Sequence, residues 1–222
     1  MTRDEVTARI AARFGGPFVR GYVASKLRHD PVYRAALEVL QPARGPLFDI
    51  GCGVGLLGFY LREHGFNEPV IGIDHDQGKI AMAGEIAAQY SGLDFRRGDV
   101  REPFPAGSNI AALDVLHYFR TEEQDDILRR MAAAVPPGGV AVVRDAVRDG
   151  SLRYRLTAAQ EAFSRGIRWL KAERLHFPTA EQIVAPFRSA GFSAEVRPLW
   201  GRTPFNNYLF VFRRPASGTT NE

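Results

Sequence analysis

The sequence predicts an α/β fold: a three-layer sandwich around a mostly parallel, seven-stranded sheet with an antiparallel last strand, preceded by a helical cap. Three observations carry this. From Pro46 onward, short apolar runs alternate with stretches of helical periodicity, the pattern of strands covered on both faces by crossover helices. The first of those runs opens directly into a glycine cluster and then a helix. The last two runs follow one another with no helix between them, as an antiparallel pair at a sheet edge would. The composition agrees: 45% hydrophobic and 24% charged residues over 222 positions fit a globular domain and exclude long disorder, collagen-like structure and a coiled-coil rod.

Taken in order, residues 1–45 read as helices forming a lid or cap. Gly15-Gly16-Pro17 breaks them, and Asp30-Pro31 opens a further one, a capping side chain followed by proline in the first turn. Leu47 to Ile50 is the first strand, and the helix after the glycine cluster runs to about His64. Val70 to Asp74 is the second strand, with a helix from about Gln77 to Tyr90. Leu93 to Arg96 is a third strand and Ile110 to Leu116 a fourth. Thr121-Glu-Glu-Gln124 matches a capping box and opens a helix to about Val135. Pro136-Pro-Gly-Gly139 is a turn, and Val140 to Val143 a fifth strand. Leu152, Leu156, Ala159, Phe163, Ile167 and Leu170 recur at spacings of three and four, which predicts a long helix over 151–175. Thr179-Ala-Glu-Gln182 is a second capping box, opening a helix stopped by Gly191. Ala194 to Trp200 and Asn207 to Phe212 form the closing pair, and 215–222 reads as a disordered tail. The main domain is 46–214.

Several classes are excluded early. One cysteine, Cys52, rules out an intramolecular disulfide and any multi-cysteine metal centre. The five histidines include no HxH or HxxxH pair, so no metal site is expected. No run of about 18 apolar residues exists to span a membrane, and the N-terminus has no apolar signal core. A cytoplasmic protein, monomeric or homodimeric, is the expectation. The net charge is +4, with 26 of the 29 basic residues arginine. That excess is too small to indicate nucleic-acid binding.

The chemistry centres on Asp49-Ile-Gly51-Cys-Gly53-Val-Gly55. Glycines let the chain turn tightly and a ligand approach the backbone, and the helix that follows offers oriented N–H groups. Two cofactor classes compete. Gly53-Val-Gly55-Leu-Leu-Gly58 matches GxGxxG, and Asp74 lies near the ~20-residue distance of a ribose-binding acid, so a nicotinamide-dependent oxidoreductase is one reading. Against it, the first glycine after the strand is Gly51, and Asp49 just before it would repel a pyrophosphate and suit a cation.

In that register the loop resembles motif I of the class I S-adenosylmethionine-dependent methyltransferases. Asp74 resembles the family's ribose-binding acid, His75 a residue against adenine, and Gly98-Asp99-Val100 the acidic position near the adenine amino group. Asp114-Val-Leu-His-Tyr118 is similar to the motif after strand four, and Val135-Pro-Pro-Gly-Gly139 to the turn before strand five. The resemblance covers about Pro46 to Arg214 and implies a Rossmann-like fold. Its implied cofactor is S-adenosylmethionine, with S-adenosylhomocysteine as product. It implies a cofactor site of Asp49, Gly51, Cys52, Gly53, Gly55, Asp74, His75, Asp99, Val100 and Asp114. Lid helices of the family fold over the cofactor, which adds Tyr22 and Lys26. A finer similarity, through Asp114 to Tyr118, Arg144-Asp-Ala and Leu152-Arg-Tyr-Arg155, is to small-molecule methyltransferases of bacterial aryl-polyene and related polyketide clusters.

Methyl transfer is an in-line displacement that depends on alignment, and a base is needed only for a protonated nucleophile. His117, just past strand four, is the first candidate base, and His176, between the late helices, the second. Each also reads as a packing or loop histidine. The aromatic stretch with Tyr154, Phe163, Trp169 and Phe177 favours a small organic acceptor. The strand-four motif lacks the (N/D)PPY/F of amino-methylating enzymes, which favours O- or C-methylation. A non-catalytic S-adenosylmethionine-binding protein on this fold is a third reading. From Arg144 to Arg174 there are eight basic and four acidic residues, so the whole +4 falls there. It reads as a solvated helix face, or as a contact for an acidic acceptor or an acidic carrier protein.

Overall fold

The computed structural model describes residues 2–156, 175–201 and 205–217. Three helices lead: α1 (Arg3–Ala12), α2 (Pro17–His29) and α3 (Val32–Leu40). The alternating part is β1 (Leu47–Ile50), α4 (Leu56–Glu63), β2 (Val70–Asp74), α5 (Gln77–Ala87), β3 (Leu93–Arg97) and β4 (Asn109–Leu113). A 3₁₀ turn (Leu116–Tyr118), α6 (Thr121–Ala134) and β5 (Val140–Ala146) follow. Helical turns at 152–156 precede α7 (Ala180–Ser189), β6 (Ser193–Pro198) and β7 (Asn207–Arg213). Most of the long helix expected over 151–175, and the tail from 218, lie outside the described residues.

The sheet order is β3-β2-β1-β4-β5-β7-β6. β1 to β5 are parallel, and β7 runs antiparallel to both β5 and β6. Pleating sends alternate side chains to opposite faces. Leu47, Val70, Ala111, Val142 and Val211 meet α1 to α5 on one face. Phe48, Ile73, Ala112, Val143 and Phe212 meet α6 and α7 on the other. The N-terminal helices share the first of these cores: Val6, Ile10, Phe14, Val23 and Leu27 are fully buried with it.

Two local readings are corrected. β4 stops at Leu113 rather than Leu116, because Asp114 adopts φ 60°, the only non-glycine positive φ among the described residues. Short acidic side chains tolerate that conformation best after glycine, and Asp114 N–H still donates to the Arg144 carbonyl (2.8 Å). The chain then leaves the sheet into the 3₁₀ turn. Second, the expected Thr121–Gln124 capping box is displaced by one residue: Glu123 accepts from Arg120 N–H (3.0 Å). Gln124 is buried instead and donates to the carbonyls of Leu116, Phe119 and His176. The second box forms as expected, between Thr179 and Gln182. At the C-terminal side, Gly138 N–H donates to the carbonyls of Arg214 and Pro215.

Asn109 ties the amino ends of three segments together. Its Nδ2 donates to the Arg44 carbonyl (2.9 Å), its Oδ1 accepts from Val140 N–H (2.9 Å), and it is 1% exposed. Removing a buried partner strands the groups it satisfied, at about 1–3 kcal/mol each. Asn109→Ala is therefore expected to lower unfolding stability by about 2–4 kcal/mol in denaturant titrations, with an unchanged m value.

Candidate active site

Parallel strands present their carboxyl ends along one edge, and ligands of such sheets bind where neighbouring strand connections diverge. Here that point lies between β1 and β4. Two cavities meet there, and both are lined by Gly51, Gly53, Asp114 and Tyr118. The larger, 1000 Å³, also takes in Asp74, His75, Asp99 and Val100. The smaller, 510 Å³, reaches under α2 to Tyr22, Lys26, His117 and Phe177.

The glycine loop has distinct jobs at its three glycines. Gly51 (φ 68°) lies against Val115, which a Cβ would meet at 2.6 Å. Gly55 (φ 78°) is not among the cavity-lining residues; its missing Cβ makes room for the Phe95 ring (2.7 Å). Gly53 (φ 57°) faces open space and lines both cavities. Its N–H donates to Asp74 Oδ2 (2.9 Å), while Asp74 Oδ1 accepts from Asp76 N–H (2.9 Å). The carboxylate at the end of β2 is thus held in place at the rim by two backbone amides. His75 follows it with its side chain 89% exposed. Asp99 pairs with Arg101 (3.3 Å), and Val100 is buried.

Asp49 differs from these. It is 2% exposed, lines the smaller cavity, and its Oδ2 is buried with no hydrogen-bond partner. Burial, with Asp74 nearby, pushes its carboxyl up to about 8. The Cys52 thiol beside it is pushed up too, by burial and then by Asp49 and Asp74, so it is a poor nucleophile.

Across the smaller cavity, Lys26, Asp30, Asp114 and Arg144 form a four-charge cluster. Arg144 Nη2 lies 2.6 Å from Asp30 and 2.9 Å from Asp114. Lys26 Nζ lies 2.9 Å from Asp30 and 3.9 Å from Asp114. Burial disfavours the Asp30 carboxylate, yet Arg144 and Lys26 outweigh it and hold Asp30 below its ordinary value. The cluster joins α2 and the start of α3 to the ends of β4 and β5. It also removes Arg144 from the solvated basic face read in 144–174: its side chain is 5% exposed and paired.

His117 lines the smaller cavity, and its Nδ1 lies 2.6 Å from Oδ1 of the fully buried Asp145. His176 is brought close through its backbone, its N–H donating to the His117 carbonyl (2.8 Å). Phe177, not His176, lines the cavity. Sequence reasoning missed the roles of Asp30, Arg144 and Asp145. Asp30 carried a helix-capping signal that hid its second partner. Arg144 and Asp145 sit at the end of strand five, beside the strand-four motif in a parallel sheet, and that adjacency was the available signal.

Residues 47–139 match the family described as "Methyltransferase domain". The matched residues run from β1 to the turn before β5 and include the whole glycine loop. Trans-aconitate 2-methyltransferase of Sinorhizobium fredii is 28% identical over 161 residues, 71% of this chain. The chain spans 61% of the length of that relative. Among solved structures, magnesium protoporphyrin IX methyltransferase from Synechocystis PCC 6803, with bound S-adenosylhomocysteine, superposes with a TM-score of 0.66 at 18% identity, covering 96% of this chain and 97% of that one. An O-methyltransferase family protein from Burkholderia thailandensis gives 0.69 at 19% identity, over 93% of this chain and 63% of that one. The likeness in fold therefore extends past the matched residues to β5, β6 and β7, which complete the sheet.

Asp49 gives the domain a testable pH signature. Its folded value of about 8 lies above an unfolded value near ~3.9. Folding therefore takes up a proton between the two values, so this contribution to stability is fully present below about pH 4 and lost as pH rises through about 8. Asp49→Asn, which stays neutral, should match the wild type near pH 4 and exceed it by roughly 2–5 kcal/mol at pH 9. Denaturant titrations at both pH values check this.

Proposed function

We propose that the chain is an S-adenosylmethionine-dependent methyltransferase acting on an O or C nucleophile of a small organic acceptor. The single observation that carries this reading is the buried, unpartnered Oδ2 of Asp49 beneath a glycine loop whose open position, Gly53, lines both cavities. A buried carboxyl that is mostly protonated near neutral pH ionises readily beside a cation, whereas a pyrophosphate beside it would only favour its protonated form. This favours a cationic cofactor over a nicotinamide dinucleotide.

The residues fit that cofactor along its length. Asp74, pinned by Gly53 and Asp76, would accept from both ribose hydroxyls, a charge-assisted pair. Val100, His75 and Asp99 would border the adenine, and Gly51, Cys52 and Asp49 the methionine end. Asp114, Tyr22 and Lys26 would close over that end from the cluster side. When bound, the cofactor supplies a methyl group on a cationic sulfur. The chain's own part is to align the acceptor in the smaller cavity, exclude water under α2, and hold a proton acceptor at His117. Trans-aconitate in the relative's name and the aromatic lining by Tyr22, Tyr118 and Phe177 both support an organic acceptor of modest size. The basic excess that remains in 148–174 supports delivery on an acidic carrier protein, with turnover then strongly salt dependent.

Among the described residues no helix is long and apolar enough to cross a membrane. Asp74→Ala should weaken S-adenosylmethionine binding by about 1.5–3 kcal/mol, the scale of a hydrogen bond to a charged group. Unchanged affinity in calorimetry would remove Asp74 from the site.

A further inference from the structure

The smaller cavity has a polar corner that lies beside the charge cluster and has work left to do. In the β5–β7 ladder Arg144 stands opposite Leu209, and Ala146 opposite Asn207. Directly opposed residues share a face of the sheet, and the diagonal pair across two such positions is still within reach. Arg144 and Asn207 are such a diagonal pair. Leu209, between them in register, packs into the core that α3 also joins. Tyr33 of α3 lines the same cavity as Arg144 and Asn207. The three side chains belong to buried residues, with Arg144 4%, Tyr33 7% and Asn207 7% exposed.

Each keeps donor capacity that the fold does not use. Arg144 makes its ion pairs through Nη2, and its Nε is buried with no hydrogen-bond partner. Among the described residues no group bonds the Tyr33 hydroxyl or the Asn207 side-chain amide. Tyr33 keeps its proton, because burial and then Asp30 and Tyr22 push its phenol well up. A buried donor left unmatched costs about 1–3 kcal/mol, so three donors lining one cavity call for an oxygen with lone pairs to share. Charge decides which oxygen. Lys26 and Arg144 are each paired with both Asp30 and Asp114, and the two acids line this cavity as well. A carboxylate placed here would face two like charges with no spare cation. A carbonyl oxygen accepts from the same donors and brings no charge.

Resting on the methyltransferase reading above, we infer that Arg144, Tyr33 and Asn207 form a subsite for an uncharged carbonyl oxygen of the acceptor. The methyl acceptor is then a ketone, ester, thioester or amide rather than a carboxylate or a plain phenol. Arg144 serves twice, holding the two acids through Nη2 and offering Nε to the carbonyl. Asp49 lines the same cavity, so an acceptor anchored at this corner lies beside the end of the site assigned to the methyl donor.

The test titrates the full chain, saturated with S-adenosylhomocysteine, with three probes of similar shape: 4-hydroxyacetophenone, 4-ethylphenol and 4-hydroxybenzoate. The ketone is expected to bind at least about tenfold tighter than either of the others. Tyr33→Phe and Asn207→Leu should each weaken the ketone by about three- to tenfold. Unchanged affinities for 4-ethylphenol and S-adenosylhomocysteine show that both variants are folded. With a ¹³C-labelled carbonyl, the bound ketone's signal should move downfield in the wild type and move back in Asn207→Leu. Equal binding of the ketone and 4-ethylphenol, preference for the benzoate, binding of none of the three, or an unchanged preference in both variants overturns the subsite. The titrations are repeated without S-adenosylhomocysteine. A chain that binds neither S-adenosylmethionine nor S-adenosylhomocysteine, yet still prefers the ketone, would overturn the proposed function and leave the subsite standing.

Discussion

The structure depends on how four carboxylates are accommodated at one edge of a sheet. Asp49, Asp74, Asp114 and Asp145 stand in or just past β1, β2, β4 and β5, three of them buried and Asp114 half-buried at the cavity wall. Buried charges require partners or they neutralise, and each of the four has a different solution. Asp145 takes three backbone N–H groups and an imidazole. Asp114 takes Arg144 and Lys26. Asp74 takes the amides of Gly53 and Asp76. Asp49 has an oxygen with nothing, and its carboxyl is held near neutrality.

That inequality organises the site. The three satisfied acids are structural anchors that fix other groups: the His117 ring, the N-terminal helices and the glycine loop. The unsatisfied one, Asp49, is the acid that the proposed cationic cofactor would meet. The strain of Asp114 belongs to the same arrangement. Its left-handed backbone turns the chain out of β4 just where the cavities meet, and the Arg144 pair holds it there. The N-terminal helices are fastened twice, through the apolar core around Val23 and Leu27 and through Asp30 and Lys26 in the charge cluster.

Much of this was legible in the sequence because it is local. Short apolar runs and period-3.6 patterns placed all seven strands and the helices between them that lie among the described residues, and the closing strands declared their reversal by lacking a connecting helix. The acids at the ends of strands one, two and four were visible for the same reason. What was not legible is long-range. Nothing near Asp30 announces Arg144, 114 residues away, and nothing near His117 announces Asp145. The end of β4 was misplaced because a positive φ at an aspartate leaves no pattern in hydrophobicity. Gln124 was misread as a cap because its three carbonyl partners, one of them on His176, come together only after the 3₁₀ turn forms.

The central claim, that Asp49 meets a cationic methyl donor, is tested most directly by calorimetric titration of the wild-type chain at pH 7 in buffers of different ionisation enthalpy. S-adenosylmethionine should bind and release up to about one proton as Asp49 ionises beside it. S-adenosylhomocysteine, without the sulfonium charge, should release less, and NAD should not bind. Binding of NAD in preference, or S-adenosylmethionine binding with no more proton release than S-adenosylhomocysteine, would contradict the account.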